Sequence, residues 1–219
     1  MSKLLFTLQA ETADLLRRGD IDGCIDVFAS RLASLDPSPF HVALELDFTN
    51  DPLAVAFHFD QFIVSQSALF PVRAIYTETN GFDINTDCWY CDLFAYTTYG
   101  GHEDFDWLSD WQSEDSAPLI LTGMERLQAV YASDAFGDRA YDDACDAAGM
   151  IVVSSFQRLI QRASRNMQRL DFPLLSTAHD YDFIAKMTAS NTGTPTKGEL
   201  GGDDRIAPIS PPIPPGMRL

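Results

Sequence analysis

Two short runs of histidine and carboxylate residues are the parts of this sequence that could perform metal chemistry. The runs consist of His102, Glu103 and Asp104, and of His179, Asp180 and Asp182. Imidazole and carboxylate groups on loops at strand ends can bind a divalent metal and activate water. If the two loops converge, these residues predict a metal-dependent hydrolase, with a divalent metal as its cofactor. Otherwise they are solvated loops, and no cofactor is predicted.

A Cys-x-x-Cys spacing joins Cys88 and Cys91, and this spacing is typical of redox and zinc sites. Asp87 and Asp92 flank the pair, and negative charge nearby disfavours a thiolate. The surrounding pattern predicts a strand, in which residues three apart point to opposite faces. The sequence also lacks the second ligand pair that a zinc site needs. We therefore predict two structural cysteines.

The segment 103–111 combines aromatic and acidic residues more densely than any other part of the chain. On a helix, Trp107 and Trp111 would lie one turn apart and share a face. Tryptophan surrounded by charge is typical of a protein-binding hot spot, here for a basic partner. An acidic cap whose tryptophans pack on the core is the alternative. The partner-binding candidates in this segment are Asp104, Asp106, Trp107, Asp110 and Trp111.

Four arginines follow at helical spacing near residue 160, and we call them the arginine row. They are Arg158, Arg162, Arg165 and Arg169. At 100° per residue these positions fall within about 60° of one another. A solvated helix face is one interpretation. The others are docking on acidic surface, within the chain or across a homodimer, and binding of a phosphate-bearing ligand.

The negative charge is confined to one stretch of the chain. The formal net charge is −17, from 32 acidic and 15 basic residues. Residues 19–125, which we call the acidic segment, contain nineteen acidic residues and two arginines, so the whole excess lies there. This charge disfavours nucleic acid and anionic membranes as partners, because both require clustered basic residues. It favours a basic protein partner.

Several enzyme classes are disfavoured by motifs that the sequence lacks. It has no P-loop, dinucleotide-binding glycine motif, nucleophile elbow or His-Glu-x-x-His motif. An enzyme is therefore less expected than a binding protein. No apolar run approaches the ~20 residues that a membrane-spanning helix needs. The apolar run at the start of the sequence is too short for a signal peptide. With four sparse cysteines, we predict free thiols and a cytoplasmic protein.

A helical hairpin is predicted at the start of the chain, over residues 3–18 and 21–35. Leu15 through Pro37 resembles one tetratricopeptide unit, with Cys24 where that family has its small packing residue. The stretch is 23 residues long, part of a repeat whose usual length is about 34 residues, and the resemblance implies two antiparallel helices. No second copy follows, so we expect a lone hairpin attached to a domain.

The remaining elements alternate between strands and helices. We predict a strand at 40–48, a mostly buried helix at 51–67 after the cap Asn50-Asp51-Pro52, and a hairpin of 72–79 with 84–98 around Asn80-Gly81. The remaining predictions are a short strand at 119–121, a helix at 124–132, a helix over 138–169 with a break at Gly149, and a last strand at 172–178.

Together these elements predict an α+β domain with an antiparallel sheet of about four to six strands covered by helices. Residues 1–189 would form this domain, with the hairpin at 1–36 and the sheet and helices at 40–189. Residues 190–219 would be an irregular, proline-rich tail with polyproline character. The function we expect is binding of a basic protein through an acidic, aromatic face with residues 83–115 at its centre, as in a bacterial immunity protein or antitoxin. The metal-dependent hydrolase and a dimeric scaffold held together by the arginine row are the alternatives.

Overall fold

The described residues, 3–114 and 116–188 of the computed structural model, form the predicted α+β fold. The predicted tail at 190–219 lies outside them, and the domain division stays a prediction. The helices are α1 (Lys3–Arg17), α2 (Ile21–Ala33), α3 (Pro52–Ser67), α4 (Glu125–Tyr131) and α5 (Asp142–Ser164). Short 3₁₀ helices lie at Pro39–Glu45, Asp106–Ser109 and Arg139–Tyr141. The strands are β1 (Ala74–Thr79), β2 (Tyr90–Tyr96), β3 (Leu119–Ile120), β4 (Leu174–Ala178) and β5 (Ala185–Met187).

The sheet is mixed, so the prediction of a purely antiparallel sheet was wrong. Its strand order is β3-β2-β1-β4-β5, and β4 runs parallel to β1, with Ile75 opposite Leu174. A parallel pair needs a long crossover connection, which here includes α5. All other neighbours are antiparallel. The strand predicted to be last, β4, is followed by β5 at the sheet edge.

The β1–β2 hairpin has a long loop where a tight turn at Asn80-Gly81 was predicted. The second strand begins only at Tyr90, and the side chain of Asn80 closes the loop. Its Nδ2 donates to the Cys88 carbonyl at 3.0 Å, and its Oδ1 accepts from the Tyr90 amide at 3.2 Å. Phe82 is buried inside the loop, and its carbonyl accepts a hydrogen bond from Trp89 Nε1. Burial of the two rings stabilises the longer connection.

The predicted strand at 40–48 was wrong, because Pro39–Glu45 is a 3₁₀ helix. Phe40 and Ala43 are three residues apart and both buried, which fits a helix with three residues per turn. His41 Nδ1 accepts the Ser38 amide at 3.1 Å and so caps the first turn. The apolar residues at every second position of 40–48 suggested a strand, but the buried positions follow the three-residue repeat of a 3₁₀ helix.

Helix α5 is continuous through Gly149, so the predicted break there was wrong. The glycine serves packing: a Cβ at this position would lie 2.8 Å from the Tyr181 hydroxyl oxygen. The loop after β4 can therefore pack directly against the helix. Most of α5 is buried between the sheet and the N-terminal hairpin.

The N-terminal hairpin forms as predicted, but it is part of the main core and not a decoration. Asp20 caps α2 by accepting the Gly23 amide at 3.0 Å. Helix α2 packs along α5, and the fully buried Phe28 ring lies 5.8 Å from that of Phe183, edge to face. Cys24 is fully buried as well, at the small-residue position of the resemblance.

Helix α3 begins as predicted, with Asp51 accepting the Leu53 amide and Pro52 in the first turn. Its inner side is buried against α5 and β2. The prediction that most sides are buried was wrong for the outer side. Leu53, Phe57 and Val64 are 62%, 63% and 52% exposed there.

Candidate functional site

The sheet has a second, aromatic face on the side away from α5. Side chains alternate across a strand, so every second residue of β2 contributes to this face. Phe94 stacks on Tyr76 of β1, with ring centroids 5.8 Å apart. Tyr96 lies 4.8 Å from Trp107, edge to face. The result is a small hydrophobic cluster, separate from the main core, that lies under residues 99–108.

The two tryptophans of the 103–111 segment lie on this face, although they do not lie on one helix. Only Asp106–Ser109 is helical, as a 3₁₀ turn. Trp107 is half-buried over Tyr96, and Trp111 lies 5.2 Å from Phe94. They share a face because they contact alternate residues of one strand. Trp107 also packs directly over Gly100, where a Cβ would collide with its indole ring.

Trp111 borders a concave surface that we call the Trp111 groove. Its volume is about 340 Å³. Trp111 itself is 50% exposed. Hydrogen bonds hold one wall in place: the Gln112 amide donates to the Ala95 carbonyl, and the Glu114 amide donates to Gln66 Oε1 of α3. The residues that form the groove include Asp92, Leu93, Phe94, Trp111, Ser113 and Glu114.

Carboxylates line the groove and lie next to Trp111 in the sequence. Glu114 lines it and is exposed, and Asp110 precedes Trp111 and is exposed too. Asp104 and Asp106 are exposed on the same segment, where the Asp106 amide donates to Asp104 Oδ1 at 3.0 Å. An aromatic ring beside several carboxylates is suited to bind an ammonium or guanidinium group. Of the partner-binding residues predicted in this segment, Trp111 lines the groove, Asp110 precedes it in the sequence, and Trp107 mainly packs on Tyr96.

The arginine row is divided by the fold. Arg158 is inserted between Asp22 and Asp47, at 3.0 and 2.9 Å, and its side chain is only 17% exposed. Arg162 approaches Asp47 at 3.8 Å. Burial opposes the charge on Arg158, but the hydrogen bonds to Asp22 and Asp47 leave its pKa above the usual value. These two arginines join α5 to the N-terminal half of the chain.

The other two arginines of the row are exposed beyond this contact. Helix α5 ends at Ser164, so Arg165 lies at its end and Arg169 follows it. The Arg169 amide, not its side chain, donates to Asp60 of α3 at 3.0 Å. The row is therefore not one helix face. In the described residues, arginines pair with Asp22, Asp47 and Glu45 of the acidic segment, which contains nineteen acidic residues.

The histidines of the two predicted metal runs have different surroundings. His179 Nδ1 contacts Glu78 Oε1 at 3.1 Å, and its pKa is raised chiefly by this hydrogen bond. His102 lines a cleft of about 270 Å³ together with Asp182 and Arg17. Burial lowers the pKa of His102, and Lys186 and Arg17 lower it further, which favours the neutral imidazole.

The fold thus brings one residue from each run into a common cleft, namely His102 and Asp182. Asp180 is exposed and lies 3.8 Å from His179. Within residues 3–114 and 116–188, no three His, Cys, Asp or Glu side chains are grouped so that they could hold a metal ion. The described part of the chain therefore contains no preformed metal centre that would support the hydrolase hypothesis.

All four cysteines are free. Cys91 is fully buried, and burial raises its pKa to about 12, whereas Cys88 is exposed outside the strand. Burial likewise raises the pKa of Cys24 to about 11 and that of Cys145 to about 12. These three thiols are protonated at neutral pH, which agrees with structural roles.

Sequence reasoning singled out Trp111 but did not single out two residues of the 83–115 face that make it a site. Phe94 packs against the indole ring, and Glu114 lines the same groove. The alternation of Tyr90, Asp92, Phe94 and Tyr96 marks one face of β2 and could have revealed an aromatic and acidic sheet face.

No family model, curated protein or solved structure matches this chain. The resemblance of residues 15–37 to a tetratricopeptide unit is therefore supported only by those residues themselves and by the helical hairpin of α1 and α2 to which they belong. None of the helices in the described part of the chain is long and apolar enough to cross a membrane.

Proposed function

We propose that this chain is a binding protein, not an enzyme, and that it engages a basic protein through the Trp111 groove. The observation that carries the proposal is the half-exposed indole of Trp111, supported by Phe94 and bordered by Glu114 and Asp110. Exposed tryptophan in a shaped pocket is a typical hot spot.

The groove and the net charge would act at different stages of binding. A Lys or Arg side chain over a tryptophan face gains roughly 0.5–2 kcal/mol, more as water is excluded. The charge of −17 would attract a basic partner over longer distances and raise the association rate at low salt. The groove would therefore determine which partner binds, and the negative charge of the acidic segment would increase the rate of association.

One concrete form of this function is an immunity or antitoxin-like protein that neutralises a basic target. A cytoplasmic location is part of the same proposal, because the four free thiols fit a reducing compartment. The exposed Arg165 and Arg169 would lie outside the contact or at its rim.

Replacing Trp111 with alanine is expected to weaken binding of the basic partner about 30-fold, the effect of losing ~2 kcal/mol at a hot spot. The partner is first isolated on immobilised wild-type chain at low salt and identified by mass spectrometry. Its Kd for each variant is then measured by calorimetry.

The matched control is Ile84→Ala, which truncates another exposed apolar side chain, 69% exposed, outside the groove lining given above. This variant should bind as the wild type does. The proposal is wrong if no basic protein is retained at low salt, or if the Trp111 and Ile84 variants bind it equally.

A dimeric scaffold is a second candidate, favoured by the outer side of α3. Leu53, Phe57 and Val64 fall within about 40° of one another on the helix and are all more than half exposed. Contiguous exposed apolar surface marks interaction sites. Two copies would bury it in a symmetric helix pair.

Replacing Phe57 with aspartate is expected to convert such a dimer into monomer, because a carboxylate would be buried without a partner. Light scattering coupled to size-exclusion chromatography measures the mass. Phe6→Asp, at a phenylalanine of α1 that is 58% exposed, is the control and should leave the mass unchanged. A monomeric wild type eliminates this candidate.

A further inference from the structure

We propose that the segment 205–215 of the chain occupies the Trp111 groove and competes there with the basic partner. This inference depends on the proposed role of the groove as a binding surface. The segment lies outside the described residues, and its sequence is Arg-Ile-Ala-Pro-Ile-Ser-Pro-Pro-Ile-Pro-Pro.

The spacing of this segment matches a polyproline helix, which has three residues per turn. Arg205, Pro208, Pro211 and Pro214 follow one another at intervals of three, so they would share one edge of such a helix. Aromatic-lined grooves bind polyproline helices because proline rings pack on aromatic rings with little loss of entropy. Trp111 and Phe94, packed edge to face, provide a surface of this kind.

The charge of the segment complements that of the groove. Residues 205–219 contain Arg205 and Arg218 and no acidic residue. The groove is lined by Glu114, with Asp110 next to its tryptophan. With Pro208 on the indole, Arg205 would lie one turn away, where a guanidinium group can bind a carboxylate of the rim.

The connection is long enough for this contact. From β5 to β2 there are three strand spacings, about 14 Å at ~4.8 Å each. Sixteen residues lie between Thr188 and Arg205, and a flexible linker of that length has a mean end-to-end distance of roughly 20–25 Å. A linker that matches its span gives an effective concentration in the mM range. Even a weak contact would then be populated.

The test uses the full chain with two matched triple variants. The tail variant, Arg205→Glu with Pro208→Ala and Pro211→Ala, alters the proposed contact edge. The control, Lys197→Glu with Pro212→Ala and Pro215→Ala, makes the same kinds of change out of phase with it. The readout is the NMR signal of the Trp111 indole N–H, assigned with Trp111→Phe. The buried Trp89 is the internal reference.

The Trp111 signal is expected to move in the tail variant and to stay in place in the control. A synthetic peptide of residues 203–219 should return the signal of the tail variant toward its wild-type position. Its Kd for the wild type should be about tenfold weaker, because the tethered segment competes at mM effective concentration. The wild-type signal should not change on dilution.

Three results would overturn the inference: a Trp111 signal that is the same in wild type and tail variant, equal shifts in both triple variants, or a wild-type signal that changes on dilution. The last would identify a second copy as the occupant. Capture of a basic protein by the tail variant tests the proposed function separately. If capture fails while Trp111 still senses the segment, only the proposed function is wrong.

Discussion

Replacing Phe28 with alanine is expected to lower the free energy of unfolding by about 3–5 kcal/mol, the usual cost of removing a buried phenylalanine ring. Phe28 is fully buried in α2, and its ring contacts Phe183, which precedes β5. The substitution therefore opens a cavity between the N-terminal hairpin and the rest of the core. Urea denaturation followed by circular dichroism measures the change.

Phe6→Ala is the control, because this ring is 58% exposed in the same hairpin and its loss should cost under about 0.5 kcal/mol. A single transition with a lowered midpoint is expected for the Phe28 variant. A separate early transition, with the remainder as stable as the wild type, would mean that the hairpin is an independent unit after all.

The two faces of the sheet are packed to different extents. On one side, α2, α3 and α5 form the main core, with Arg158 fixed between two carboxylates. On the other side, a thinner aromatic cluster leaves Trp111 half exposed. Stability is thus concentrated away from the proposed binding surface. Substitutions in the Trp111 groove can therefore be tested with little risk of unfolding.

Local signals in the sequence predicted the elements whose ends are set by neighbouring residues. Asp20 before α2 and Asp51-Pro52 at the start of α3 are caps that act within a few residues, and both helices begin there. The strands at 74–79 and 174–178 are short segments that mix apolar residues with Tyr, Thr and Ser, and every residue except Glu78 is buried. Their pattern was sufficient to predict strands, though not the direction in which β4 would pair.

The wrong predictions arose where a contact distant in sequence decides the local structure. Gly149 predicts a helix break, but the helix continues and the glycine leaves room for the Tyr181 hydroxyl, which packs against it. Asn80-Gly81 predicts a short turn with the second strand starting at residue 84, but Phe82 and Trp89 are buried within a longer loop. In each case, burial of a ring outweighs a local preference of about 1 kcal/mol.

The candidate site could be predicted only in part for the same reason. Trp111 and its acidic neighbours stand together in the sequence, so composition alone revealed them. Phe94 lies seventeen residues earlier, and only the fold of the sheet places it under the indole. For the arginine row, spacing predicted a common face, but the end of α5 at Ser164 separates Arg169 from Arg158.

Replacing Gly123 with alanine is expected to cost about 3 kcal/mol, through backbone strain and direct collision. Its φ is +106°, and a Cβ would collide with the Asp47 carbonyl oxygen and lie 2.8 Å from the Thr49 amide nitrogen. Because these are backbone atoms, no side-chain rotation can relieve the contact. The same backbone hydrogen-bonds across the chain, from the Thr49 amide to the Thr122 carbonyl at 2.8 Å.

Gly101→Ala separates the two contributions to this cost. Gly101 has the same φ of +106°, but a Cβ there would have no atom within 4 Å. This variant should therefore lose only the strain of the backbone conformation, about 1–2 kcal/mol. The difference between the variants, measured by urea denaturation, reports the collision with residues 47–49. Equal losses would mean that the two segments can move apart, and Asp47 would then not be held in place to receive Arg158.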